Sequence, residues 1–304
     1  MAMAEPAAIR TVSEVLNAGR PARAGISRSY WAGVRRRLAR DRVTIACAAI
    51  LFVILAAAIF APYVTWADPY KTSMIRRLLP PGSPNHILGT DELGRDMFTR
   101  LVYGGRISLF TGFMPVFVAT VIGGTLGVLA GYLGGRSNML IMRVMDVFYA
   151  FPSVLLAVAI SGALGAGLVN GLVAMSLVFI APVARVSETV ATQVRNEDFV
   201  EAARATGART WRILIEHILP NVLGPILIYA SSLISVAIVL ASGLSFLGLG
   251  VSPPNADWGL MLNTLRQSIY VAPVNAILPG VMIFVTSMCF NLMSDGLRAA
   301  MDVR

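Results

Sequence analysis

The run from Val43 to Ala67 carries no charged residue, and it limits the possible folds more than any other feature of the chain. About 20 apolar residues suffice to cross a bilayer as a helix. Only a helix or a closed barrel can span the hydrocarbon, because every backbone N–H and C=O must find a partner where there is no water. Five further largely apolar runs follow: Ile107 to Gly135, Met139 to Leu164, Leu168 to Thr189, Val222 to Leu247 and Pro273 to Met293. The pattern predicts an all-α, polytopic membrane helix bundle with about six transmembrane helices. Composition agrees: 56% of residues are apolar and only 13% charged, against roughly a quarter charged in soluble domains. With a mean hydropathy of +0.72, a water-facing globular surface could not be covered.

The boundaries follow from where polarity returns. Residues 1–42 form a polar, Arg-rich tail, and 43–67 a first anchor. The tail is too long, and the apolar run exceeds the 7–15 residues of a signal-peptide core, so an uncleaved anchor is expected. Residues 68–106 form an external loop in which Pro69, Pro80, Pro81 and Pro84 break helices. Its second half, Thr90 to Leu101, is expected to be a short amphipathic helix with Leu93, Met97 and Leu101 on one face. Residues 107–304 are the main bundle. There Gly123, Gly127 and Gly131 recur every four residues, a stripe that lets another helix approach closely. Arg143 and Asp146, one turn apart, are expected to pair. Cys47 and Cys289 read as small membrane-embedded side chains, with neither a disulfide framework nor a metal site.

Charge sets orientation. With the N-terminus in the cytoplasm, the same side receives Arg35, Arg36, Arg37, Arg40 and Arg42, the Arg136–Arg143 connection, the stretch Ala191–Pro220, and Arg298 and Arg304. The opposite side keeps Lys71, Arg76, Arg77, Arg95, Arg100, Arg106 and Arg266. The excess is cytoplasmic, so both termini are expected inside, with a fairly basic first external loop as the exception. The net charge of +9 is thereby used for membrane orientation and lipid contact, and nucleic acid is not expected as a partner.

The stretch 196–221 reads NEDFVEAARATGARTWRILIEHILPN. Asn196 is expected to cap a helix whose first turn holds Glu197 and Asp198. Gly207 is expected to end it in a left-handed conformation. A second helix restarts near Arg209, carries Trp211, Ile215 and Ile218 on one face, and stops before Pro220. A helix–glycine–helix unit between membrane spans makes a compact knob suited to a groove on a soluble partner.

Glu201-Ala202-Ala203, then Gly207, then Leu219-Pro220, resemble the EAA loop of binding-protein-dependent ABC importer permeases. His86 to Asp96, including Gly89, Asp91, Gly94, Arg95 and Asp96, is similar to the external signature of the dipeptide/oligopeptide/nickel group, second permease subunit (DppC/OppC type). Leu244 to Val251 with Pro253-Pro254 and Trp258-Gly259, and the closing Phe290 to Arg298, resemble it too. The sequence departs from that pattern at Ala241, where relatives often carry an acid, and at Val303, where they often carry proline. The resemblance implies a MetI-like permease core, residues 107–304, in the bacterial inner membrane. It implies a second permease, two ATP-binding-cassette ATPases and an extracytoplasmic solute-binding protein as partners. No cofactor is then expected on this chain, with ATP and Mg²⁺ on the ATPases. Residues 196–221 would be the coupling loop: Glu201 faces polar or basic groups of the ATPase, Gly207 sets the turn, and Ala202 and Ala203 allow close contact. Di- and oligopeptides come first as implied substrates, then nickel complexes, then solutes such as glutathione.

Other classes lack their parts. The only lysine is Lys71, without the glycines of a P-loop. The two histidines, His86 and His217, fall on opposite sides of the expected topology, and no paired carboxylates lie within the spans. A transport subunit is therefore expected rather than an enzyme. An ion-coupled carrier would hold ionisable groups deep in its spans, which are nearly free of them; co-purification of ATPases separates the two.

Overall fold

The computed structural model describes residues 28–301, and the tail before residue 28, Asp302, Val303 and Arg304 lie outside it. Every regular element among the described residues is helical, apart from two isolated backbone bridges in the first loop. A basic helix, α1 (Arg28–Leu38), leads into α2 (Arg42–Ile59) and the short α3 (Ala61–Val64). Then come α4 (Met97–Leu133), α5 (Gly135–Tyr149), α6 (Ser153–Leu164) and α7 (Leu168–Arg195). After α8 (Asp198–Ala205) and α9 (Thr210–Ile213), one π turn (Leu214–Ile218) runs into α10 (Leu219–Phe246). The chain closes with α11 (Trp258–Leu265) and α12 (Pro273–Met301). Among the described residues, five helices are long and apolar enough to cross a membrane, or six if the bent pair α5–α6 is one span.

That pair covers the expected third span with a sharp bend in it. The helix stops after Tyr149 and restarts at Ser153 at an angle of 85°. Pro152 supplies no N–H and pushes Phe151 out of the helical region. The second span also begins earlier than the apolar run. Residues 91–96 form a tight turn rather than the expected amphipathic helix, and Asp96 caps α4 by accepting from the Thr99 N–H at 2.8 Å. At 37 residues α4 is about 55 Å long, so it crosses the hydrocarbon and projects beyond it.

The glycine stripe is the main seam of the bundle. A Cβ at Gly123 would stand 2.5 Å from the Ile180 carbonyl oxygen, one at Gly131 2.6 Å from that of Glu188, and one at Gly127 would overlap that of Ala184. Both helices step by four residues and their numbers rise together, so α4 and α7 run parallel with their backbones touching. No side chain fits between them. Around this seam Val116, Ala119, Phe179, Val183, Leu233 and Ala237 form the largest buried cluster.

One expected pairing changes. Asp146 pairs with Arg185 of α7, not with Arg143. Cys47 and Cys289 are buried free thiols in one cluster between α2 and α12.

Candidate functional site

Two polar constellations stand at opposite ends of α4. At its first turn is an ion cluster built from the external motif. Asp91 Oδ1 accepts from the backbone N–H groups of Leu93 and Arg95, both at 2.9 Å. Asp91 Oδ2 accepts from Arg95 Nε at 2.6 Å and lies 3.3 Å from Arg100 Nε. Arg95 also reaches Glu92 at 2.9 Å. Asp91, Arg95 and Arg100 are 2%, 4% and 2% exposed, so the charges offset one another out of water. Burial, with Asp91 next door, raises the pKa of Glu92.

The cluster joins distant loops. Arg100 donates to the carbonyls of Pro69 at 3.1 Å and Pro254 at 3.4 Å. Asn275 donates to Leu79 and Thr90 carbonyls at 2.9 and 2.7 Å. His86 Nδ1 meets Asp96 at 2.9 Å. Gly89 and Gly94 both have positive φ, and at each a Cβ would overlap a carbonyl oxygen, of Leu79 and Ser73 respectively. Next to the cluster, Trp258 is fully buried against Gly104 and Gly105 and donates to the Leu101 carbonyl at 2.9 Å. Asp257 caps α11, accepting from Leu260 N–H at 3.0 Å and Ser108 Oγ at 2.7 Å; burial raises its pKa. Sequence reading did not single out Asn275, Asp257 or Ser108, because nothing local signals their long-range partners. The Asp91→Asn variant keeps the shape but removes the charge facing two buried guanidinium groups. It should lower stability by about 2–3 kcal/mol, read as a lower melting temperature in detergent.

At the other end of α4 is the knob. Helix α8 ends as expected in a left-handed turn: Gly207 has φ +78°, its N–H reaches the Arg204 carbonyl at 2.9 Å, and the Ala208 N–H reaches Ala203 at 3.1 Å. These two bonds satisfy the last carbonyls of the helix. Asn196, however, closes α7 rather than capping α8, whose N-cap is Glu197 without a side-chain hydrogen bond.

Inward, Val200, Ile213 and Ile218 are buried against Val128 and Tyr132 of α4, Ala191 of α7 and Val222 of α10. Arg204 stacks over the Tyr132 ring at 5.4 Å. Outward, Glu201, Ala202, Ala205 and Gly207 are exposed, while Ala203 turns partly inward. Trp211 and Ile215 are exposed instead of sharing a face with buried Ile218, and Phe199 joins them. Beside Gly207, a groove of about 350 Å³ is lined by Thr206, Ala208, Arg209, Trp211 and Arg212. The knob thus presents an acid, two methyl groups and exposed apolar side chains on a base locked into the bundle.

Leu219 and Pro220 lie inside a continuous helix, not at its end. The π turn before them bonds Leu219 N–H to Leu214 O, five residues back. The widened turn admits a proline, which has no N–H and would clash with the carbonyl of a regular turn. No group of three or more metal-ligating side chains occurs among the described residues.

The chain is similar to known proteins over most of its length. Residues 123–304 match the family described as binding-protein-dependent transport system inner membrane component, and residues 29–81 match the N-terminal TM domain of oligopeptide transport permease C. The dipeptide transport system permease protein DppC of Alkalihalophilus pseudofirmus is 42% identical over 90% of either chain. The glutathione transport system permease protein GsiD of Pectobacterium atrosepticum is 41% identical, covering 90% of this chain and 91% of its own. An inward-facing structure of the MetNI methionine ABC transporter superposes with a TM-score of 0.56 at 19% identity, covering 68% of this chain and 98% of the other, a likeness of fold. On this match over most of its length, the chain belongs to the family of binding-protein-dependent transport system inner membrane components, as a multi-pass transport subunit and not an enzyme.

Proposed function

We propose that this chain is one of two permease subunits of an ATP-driven importer of short peptides. The solute would be delivered by an extracytoplasmic binding protein, and ATP and Mg²⁺ would be bound by two ATPase subunits. The observation that carries this reading is the knob: Glu201, Ala202, Ala205 and Gly207 face outward while Val200, Ile213 and Ile218 fasten it to α4, α7 and α10. A protrusion so held transmits a push as a rigid body, and closing ATPases would tilt the bundle between its two access states. Leu219 and Pro220, at the π turn, connect that push to the spanning part of α10. The cluster of Asp91, Arg95 and Asp96, with Gly89 and Gly94, would hold the external loop as a stiff platform on the binding-protein side. The similar dipeptide and glutathione permeases favour peptides over nickel complexes.

The reading places both termini and residues 196–221 in the cytoplasm, with 1–42 a tail, 43–67 an anchor, 68–106 an external loop and 107–304 the permease core. Arg76 and Ala205 are both exposed, and the native cysteines are buried. An impermeant maleimide added to intact cells should therefore label Arg76→Cys and spare Ala205→Cys; the reverse pattern overturns the orientation. Function is tested by purification. The tagged chain should bring down a second permease and ATPases, and reconstituted vesicles should take up labelled dipeptide only with ATP and binding protein. Uptake by the purified chain alone would instead make it a carrier.

A further inference from the structure

We infer that Arg35, Arg36, Arg37, Arg40 and Arg42 form a binding surface for the headgroups of anionic phospholipids, fixed at the junction of α1, α2 and the end of α12. All five side chains are exposed, and none forms an ion pair among the described residues. Among the described residues, the one side-chain bond in the group is Arg37 Nε to the Gly33 carbonyl at 3.5 Å, within the same helix. The single acid between residues 28 and 67 is Asp41, and it is already used. Its carboxylate caps α2, accepting from the Val43 N–H at 3.1 Å and from the Thr44 hydroxyl. Five like charges within eight residues therefore have no ion-pair partner among the described residues.

The surface is held in place. Val34, on the face of α1 opposite to solvent, is 4% exposed, and α1 packs on α12. At Gly296 of α12 a Cβ would stand 3.1 Å from the Asp41 carboxylate and would overlap the Thr44 hydroxyl, so the last helix passes directly against the cap. The basic turn cannot swing away from the start of α2.

Its position names the ligand. Arg42 is the first residue of a helix apolar enough to cross the bilayer, and the arginines therefore sit at headgroup depth. Below them the same helix exposes Val43, Ile45, Ile50 and Phe52, at 53%, 48%, 42% and 69%. Guanidinium forks above an apolar face match a phospholipid, phosphate at one end and acyl chain along the other. A soluble phosphate would use only the upper half. This inference depends on α2 lying in the bilayer and not on what the complex transports, so the two readings fail separately.

The test uses the whole complex in nanodiscs of phosphatidylcholine with and without phosphatidylglycerol, reading retained lipid by native mass spectrometry. The wild type should retain phosphatidylglycerol in preference, and added salt should reduce that preference. Each arginine near an anionic surface contributes roughly fivefold, so R35Q/R36Q/R37Q/R40Q should lose the preference by at least about tenfold. Millimolar inorganic phosphate should not displace the lipid. Should the quadruple variant fail to insert, R36Q/R37Q leaves three arginines for orientation and should still lower the preference severalfold. An unchanged preference in an inserted variant, no preference in the wild type, or displacement by phosphate would each overturn the assignment.

Discussion

Replacing Gly127 by leucine should prevent the folded chain from accumulating in the membrane. At this position a Cβ alone overlaps the Ala184 carbonyl oxygen and comes within 2.7 Å of the Ser187 Cβ. Both neighbours belong to α7, whose backbone cannot retreat without breaking contact at Gly123 and Gly131 as well. Overpacking a flexible core costs roughly 1–3 kcal/mol. With backbone as the obstacle, the loss should exceed about 3 kcal/mol, a large part of a stability of 5–15 kcal/mol. Gly162 supplies the control, because a Cβ there meets nothing within 4 Å. Gly162→Leu should accumulate normally while Gly127→Leu does not, as measured by membrane-fraction abundance and thermal melting in detergent. Equal abundance of the two would mean that the α4–α7 seam yields, and that the close backbone contact is not needed for folding.

The second large effect should fall on transport and leave folding alone. Gly207 is the mirror case of Gly127: a Cβ would meet nothing within 4 Å, but φ is +78°. Gly207→Val therefore introduces strain without a clash, about 1–3 kcal/mol confined to the knob. That strain corresponds to a roughly 5- to 150-fold shift away from the docked shape. Glu201→Lys reverses an exposed charge whose side chain forms no ion pair among the described residues, and the new charge would oppose basic groups on the ATPase. Both variants should reach the membrane at near-normal levels and lose most ATP-dependent uptake. Their complexes should hold ATPase weakly or hydrolyse ATP without regard to loaded binding protein. Normal transport by both would remove the mechanical role of the EAA loop. Failure of both to accumulate would make the segment structural.

The spans could be read because the bilayer requirement is local and additive: about 20 apolar residues cross, whatever their neighbours. The glycine stripe was legible by its period of four. The left-handed turn at Gly207 was legible because the αL region favours glycine over any side chain. Facing direction was not legible in this way. Trp211, Ile215 and Ile218 suggested one apolar face, yet only Ile218 is buried, since α4 and α7 cover one side of the knob and leave the other bare.

Pairing was equally hidden. Asp146 could have met Arg143 one turn away, but the packing of α5 on α7 brings it to Arg185. Asp91, recognised as part of a motif, gained its buried partner Arg100 only because a tight turn brings them together before α4 begins its first turn. Pro220 looked like a stop, and a π turn ahead of it lets the helix continue. The sequence by itself determined which runs are long and apolar enough to cross a membrane, where the backbone turns at Gly207 and where two helices come close along the glycine stripe, because these depend on each residue's own solvation and steric freedom. The tertiary structure decided which side chains are covered, which charges are paired and which face of the knob is offered, because burial and pairing are properties of two elements meeting and neither element encodes them alone.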